Sequence, residues 1–104
     1  MNYPKTIQMG GRTIAVNVID TPIARTESDK FYIGKFEPLA NAITVYHDDK
    51  IADVSHETFV HELIEAADVI YELKLPHATI QTLSAALYQA LSTGAVSFDK
   101  RGSH

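Results

Sequence analysis

The sequence predicts an α+β domain, a small antiparallel sheet of about three strands packed on two antiparallel helices. Two observations carry this. In the first half, Thr13, Ala15 and Asn17 alternate with Ile14, Val16 and Val18, the period-two pattern of a half-buried strand. In the second half, apolar residues recur at helical spacing over two stretches separated by Pro76. Strands first and helices afterwards is the order of an α+β layer arrangement.

The elements follow in chain order. Gly10-Gly11 separates residues 5–9 from 12–19 and signals a hairpin, because both turn positions tolerate positive φ. Residues 20–41 are less regular and contain Pro22, Gly34 and Pro38. Within them, residues 25–30 are polar and read as an exposed loop, and Phe31-Tyr32-Ile33 as a short strand. Ala42 to Tyr46 is a further strand, ended by His47-Asp48-Asp49. A first helix is expected from Ser55, a plausible N-cap, to about Leu73. A second is expected from about His77 to Ser92, with Pro76 in its first turn and Gly94 as its stop signal.

The chain of 104 residues is one domain by size, over residues 1–100. Arg101-Gly102-Ser103-His104 reads as the start of a polyhistidine expression tag, so the natural protein is expected to end near Lys100. There are no cysteines, so any metal must use His, Asp or Glu, and a reducing compartment fits. A net charge of -4 and the lack of a basic run disfavour nucleic-acid partners. No apolar run approaches the roughly 18 residues of a membrane helix, and residues 1–8 lack the apolar core of a signal peptide. A cytoplasmic protein is expected.

The first helix is apolar around most of its girth, with Phe59, Val60, Leu63, Ala66, Ala67, Ile70 and Leu73 forming a broad arc. Such a helix is covered on several sides, so it belongs between the sheet and the second helix. Its narrow polar stripe is Glu57, His61, Glu65, Asp68 and Glu72, with Glu62 at the margin. No Lys or Arg lies between Lys50 and Lys74 to offset this charge. Carboxylates four apart repel by a few tenths of a kcal/mol per pair. A divalent cation would offset them. His61 and Glu65, at i and i+4, can meet one ion, and zinc accepts both donor types. In His-Glu-x-x-His metallopeptidases the Glu after the first His is the general base, a role Glu62 would take here. The alternative is that the stripe is only a solvated acidic face.

On the second helix Ile80, Leu83, Leu87, Ala90 and Leu91 form an apolar seam, flanked by His77, Gln81, Ser84 and Tyr88. A turn near residues 74–75 would set Tyr88 level with His61, Ser84 with Glu65, Gln81 with Asp68 and His77 with Glu72. Tyr88 could then donate to a developing oxyanion, or serve only as a rim residue. His77 is the obvious third ligand by chemistry. In a straight hairpin it lies about 10 Å too far along the axis, at roughly 1.5 Å per residue. It reaches the ion only if the first helix ends near residues 68–70; otherwise it pairs with Glu72. His47 and His56 are read as surface histidines.

The run Phe59-Val60-His61-Glu62-Leu63-Ile64-Glu65-Ala66, then Leu75-Pro76-His77, Leu83 and Leu87-Tyr88-Gln89-Ala90-Leu91, resembles small phage and prophage proteins of zincin type related to the ImmA/IrrE metallopeptidases. The resemblance covers roughly residues 31–92. It implies a minimal zincin-like fold, a zinc ion, His61 and the Glu65 position as ligands, Glu62 as general base, and Ala42 to Tyr46 as the edge strand along which a peptide substrate lies. Glu65 stands where the family has His, and Gln81 where a carboxylate ligand from the second helix is expected. That leaves His77 as replacement, or an incomplete site.

Three functions are thus in competition. The first is a zinc-dependent, metallopeptidase-like phage protein in the host cytoplasm. The second is a catalytically inactive acidic module that docks on a host or phage protein. The third is a structural metal tying the two helices together.

Overall fold

A computed structural model describes residues 2–24 and 31–94. The polar loop expected at residues 25–30 and the tag remnant expected at 101–104 lie outside the described residues.

Among the described residues, six strands and two α-helices form beside short 3₁₀ turns at Pro38–Ala40 and Asp49–Ile51: β1 (Thr6–Met9), β2 (Arg12–Ile19), β3 (Ile23–Ala24), β4 (Phe31–Tyr32), β5 (Gly34–Glu37), β6 (Ala42–Tyr46), α1 (Ala52–Ile70) and α2 (His77–Ser92). The architecture is α+β, a sheet against two helices. The main sheet has four strands in the order β1-β2-β6-β5, and β3 and β4 pair separately. Gly10 and Gly11 both take positive φ, +58° and +76°, as a two-residue hairpin turn between β1 and β2 requires.

Two details depart from the sequence expectation. The sheet is mixed, because β2 and β6 run parallel, with Ala15 opposite Ala42 and Ile19 opposite Tyr46. Alternation along a strand fixes which face is buried, not which way its neighbour runs. Moreover, β6 lies inside the sheet, between β2 and β5, so it is not the edge strand. The edge beside the helices is β5, antiparallel to β6. The backbone N–H of Tyr46 donates to the carbonyl of Ile33. With the register of β5 on β6, that bond directs the backbone groups of Gly34 and Phe36 away from β6, to the open edge.

Helix α1 packs on β5 and β6, and α2 packs on α1. The core lies between sheet and α1, where Ile14, Ile43 and Val45 meet Phe59 and Ala66. Among the described residues no helix is long and apolar enough to cross a membrane.

Both ends of α1 differ from expectation, and the C-terminal difference shapes the site. The helix starts at Ala52, so Ser55 is a buried residue of its first turns rather than the N-cap. Asp48 instead caps the short 3₁₀ turn before it, accepting from the Lys50 N–H at 2.9 Å. At the other end the helix stops at Ile70, not near Leu73. The N–H of Leu73 reaches the carbonyl of Asp68 and that of Glu72 the carbonyl of Val69. This is the Schellman pairing, with Glu72 left-handed at φ 53°. Lys74 is also left-handed, at φ 57°. The Asp68 carboxylate then accepts from the Leu75 N–H at 2.8 Å. These bonds fold the chain back over six residues and start α2 beside the middle of α1.

Candidate functional site

Helix α1 lays its His-Glu-x-x-Glu run against β5 on one side and α2 on the other. The early helix end brings His77, the first residue of α2, back over His61, with ring centroids 5.7 Å apart. His61 Nε2 lies 3.1 Å from Glu65 Oε1. Ligand atoms of His61, Glu65 and His77 all fall within 4.8 Å of one another. These three positions are the ones the sequence offered as metal ligands.

Ser84 supports His61. Its hydroxyl donates to the Ile80 carbonyl at 2.7 Å, and its oxygen makes a long contact of 3.4 Å with His61 Nδ1. That arrangement turns Nε2 toward Glu65 and His77, as an outer-shell partner of a metal-bound histidine does. Ser84 is buried and level with His61, one turn from the expected register opposite Glu65.

Glu62 lies beside this cluster, in the seam between α1 and β5. It is 5% exposed, and its Oε1 has no hydrogen-bond partner. Desolvation pushes its carboxyl up to about 8, with the Glu65 charge and a hydrogen bond shared with Glu65 adding to the effect. Among the described residues no Lys or Arg pairs with either carboxyl. Gly34 makes this placement possible. A Cβ there would stand 2.6 Å from Thr58 Cγ2 and 3.2 Å from Glu62 Cγ. The strand therefore lies on α1 through a glycine, and the carboxyl is boxed between them.

A groove of about 770 Å³ opens over these residues, lined among others by Phe31, Tyr32, Lys35, Phe36, His61, Glu62, Glu65, His77 and Gln81. Gln81 is thus at the site, where the family resemblance expects a carboxylate. Phe31, Tyr32 and the β5 edge are lining residues that the sequence did not single out. Gly34 in a short strand-like run was the signal that could have found β5.

Tyr88 is not at this site. Its hydroxyl donates to Asp53 Oδ1 at 2.7 Å, and it lines a separate cleft with His56, Leu91 and Ser92. The register of α2 on α1 is the cause. The early helix end shifts α2 by about one turn, so Ser84 occupies the level at which Tyr88 was expected. The oxyanion role expected of Tyr88 does not fit this position. His47 and His56, read as surface histidines, are half-buried and stack on each other at 5.3 Å under Tyr3. His47 also bonds the Tyr3 hydroxyl and Asp49, each at 2.9 Å.

No family model, curated protein or solved structure gives a significant match to this chain.

Proposed function

We propose that this chain is a zinc-dependent hydrolase of peptidase type. One observation carries the reading: three ligand-type groups, on His61, Glu65 and His77, converge within 4.8 Å beside a buried carboxyl with an orphaned oxygen. The donor set fits zinc, since two imidazole nitrogens and one carboxylate oxygen are a familiar catalytic combination. His61, Glu65 and His77 would hold the ion. It would supply Lewis acidity at the floor of the groove and positive charge next to an acidic stripe.

The proton chemistry falls to Glu62. With no cation near, burial keeps its carboxyl protonated at neutral pH. Positive charge nearby favours the carboxylate and moves the group into the range of a general base. As carboxylate it takes a proton from water in the groove and later passes it to the leaving amine.

The open edge of β5 argues for the substrate class. The outward backbone groups of Gly34 and Phe36 can pair with an extended segment, adding it as a fifth strand over the groove. Protein segments are therefore the favoured substrates. The resemblance to ImmA/IrrE proteins supplies the setting, a phage protein acting in the host cytoplasm.

The test is hydrolysis of a quenched-fluorescent peptide library by the zinc-loaded protein and by Glu62→Gln. The reading expects a loss of at least about 100-fold in the variant with zinc retained. Equal turnover in both proteins would remove Glu62 from the chemistry. No turnover in either, with zinc absent, would favour the acidic docking module instead.

A further inference from the structure

We infer that α2 pairs with α2 of a second copy of this chain, antiparallel, through Leu83, Leu87 and Leu91. The three leucines are four residues apart, so they lie along one side of the helix. They remain 41%, 47% and 43% exposed, although α2 already packs on α1 through Ile80 and Ser84. A row of half-exposed leucines along a whole helix is a contiguous apolar surface, not a scatter of single residues.

Charge selects the occupant. No Asp, Glu, Lys or Arg occurs between Lys74 and Asp99, so α2 carries no formal charge beyond a protonated His77. The chain as a whole is at -4, and α1 carries Asp53, Glu57, Glu62, Glu65 and Asp68. Two copies approaching by α1 would bring carboxylates together. Approaching by α2, they would meet through an uncharged helix, with Asp53 near Leu91 hydrogen-bonded to Tyr88. A lipid surface is the poorer occupant, because helices that lie on membranes carry Lys and Arg on their polar face, and α2 has neither.

The row is also self-complementary. In a two-fold antiparallel pair Leu87 meets Leu87 of the partner copy at the axis, and Leu83 meets Leu91, so one row fills both sides of an isologous contact. Leu87 is rotated from His77 and Gln81 by about 80° and 120° at 3.6 residues per turn. The groove over His61 therefore stays open in the pair. A 16-residue helix is about 24 Å long. One side of it buries less than the roughly 800 Å² per partner of a standard interface, so the dimer is weak and depends on concentration. A chain of this size gains from it, since small domains leave much of their apolar surface exposed.

Sedimentation velocity of the full chain, from low micromolar to several hundred micromolar, tests the pairing. The mass should move from 11.5 kDa toward twice that value. Leu87→Glu sets two carboxylates at the axis and should hold the protein at the monomer mass throughout. Leu83→Gln should weaken pairing at least several-fold. Circular dichroism shows whether each variant keeps its helices, as expected for half-exposed positions, and Leu87→Met should dimerise like the parent. A parent that stays at 11.5 kDa at every concentration overturns the inference, as does a folded Leu87→Glu protein that still dimerises.

Discussion

Glu62→Gln should make the metal-free protein more stable at pH 8 while leaving it little changed near pH 4.5. The Glu62 carboxyl is held protonated up to about 8 in the folded chain, against an ordinary value of 4.5. Between those values the native state binds a proton that the unfolded chain releases, so stability falls as pH rises. The contribution is fully present below 4.5 and is lost by the time pH passes through 8. Its size is on the order of 4 kcal/mol, at about 1.4 kcal/mol for each tenfold change in proton affinity. For a domain near 100 residues, 1 kcal/mol moves Tm by roughly 4–8 °C, so the difference should exceed about 10 °C. The assay is thermal melting of both proteins in a chelator, at half-unit steps from pH 4.5 to 8.5. The parent should lose Tm relative to Glu62→Gln as pH rises. Added zinc should reduce that loss, because a cation favours the carboxylate. Parallel curves in the chelator would refute the burial argument and leave Glu62 as an ordinary surface acid.

Three further outcomes follow from the geometry. Glu72→Gly should raise stability by about 1 kcal/mol, since glycine removes the left-handed penalty of the Schellman position; denaturant melts would show it, and destabilisation would mean that the turn depends on the Glu72 side chain. Gly34→Ala should cost about 1–3 kcal/mol by overpacking the β5–α1 seam, and should lower activity as Glu62 shifts; a neutral effect on both would show that the strand can move away freely. Tyr88→Phe should cost about 1 kcal/mol through the lost bond to Asp53 and leave turnover within about twofold; a loss near that of Glu62→Gln would return Tyr88 to the chemistry.

The limits of legibility have physical causes. The bounds of α2 were readable because Pro76 cannot continue a helix and Gly94 takes φ +75° beyond its end, although Pro76 stands at the N-cap with extended backbone rather than in the first turn. The β1–β2 hairpin was readable because Gly10-Gly11 is the chemistry its turn needs. The end of α1 was hidden because Glu72 occupies the left-handed position that glycine usually marks. That error of three residues set the expected register of α2, and it sent Tyr88 to the site and His77 away from it. Strand β5 was missed because Gly34 reads as a loop residue, whereas a glycine in a strand-like run also marks close approach, here to α1. The pairing of His61 with Glu65 was legible from i,i+4 spacing alone. The burial of Glu62 was not, because it depends on a strand nearly thirty residues earlier.

The account rests on a metal at His61, Glu65 and His77. Elemental analysis of the purified protein, beside His61→Ala and His77→Ala, tests this directly. About one zinc per chain in the parent, with substantial loss in both variants, is the result predicted. A parent without metal, or one whose metal survives both substitutions, would contradict it and leave the stripe on α1 as a solvated acidic face.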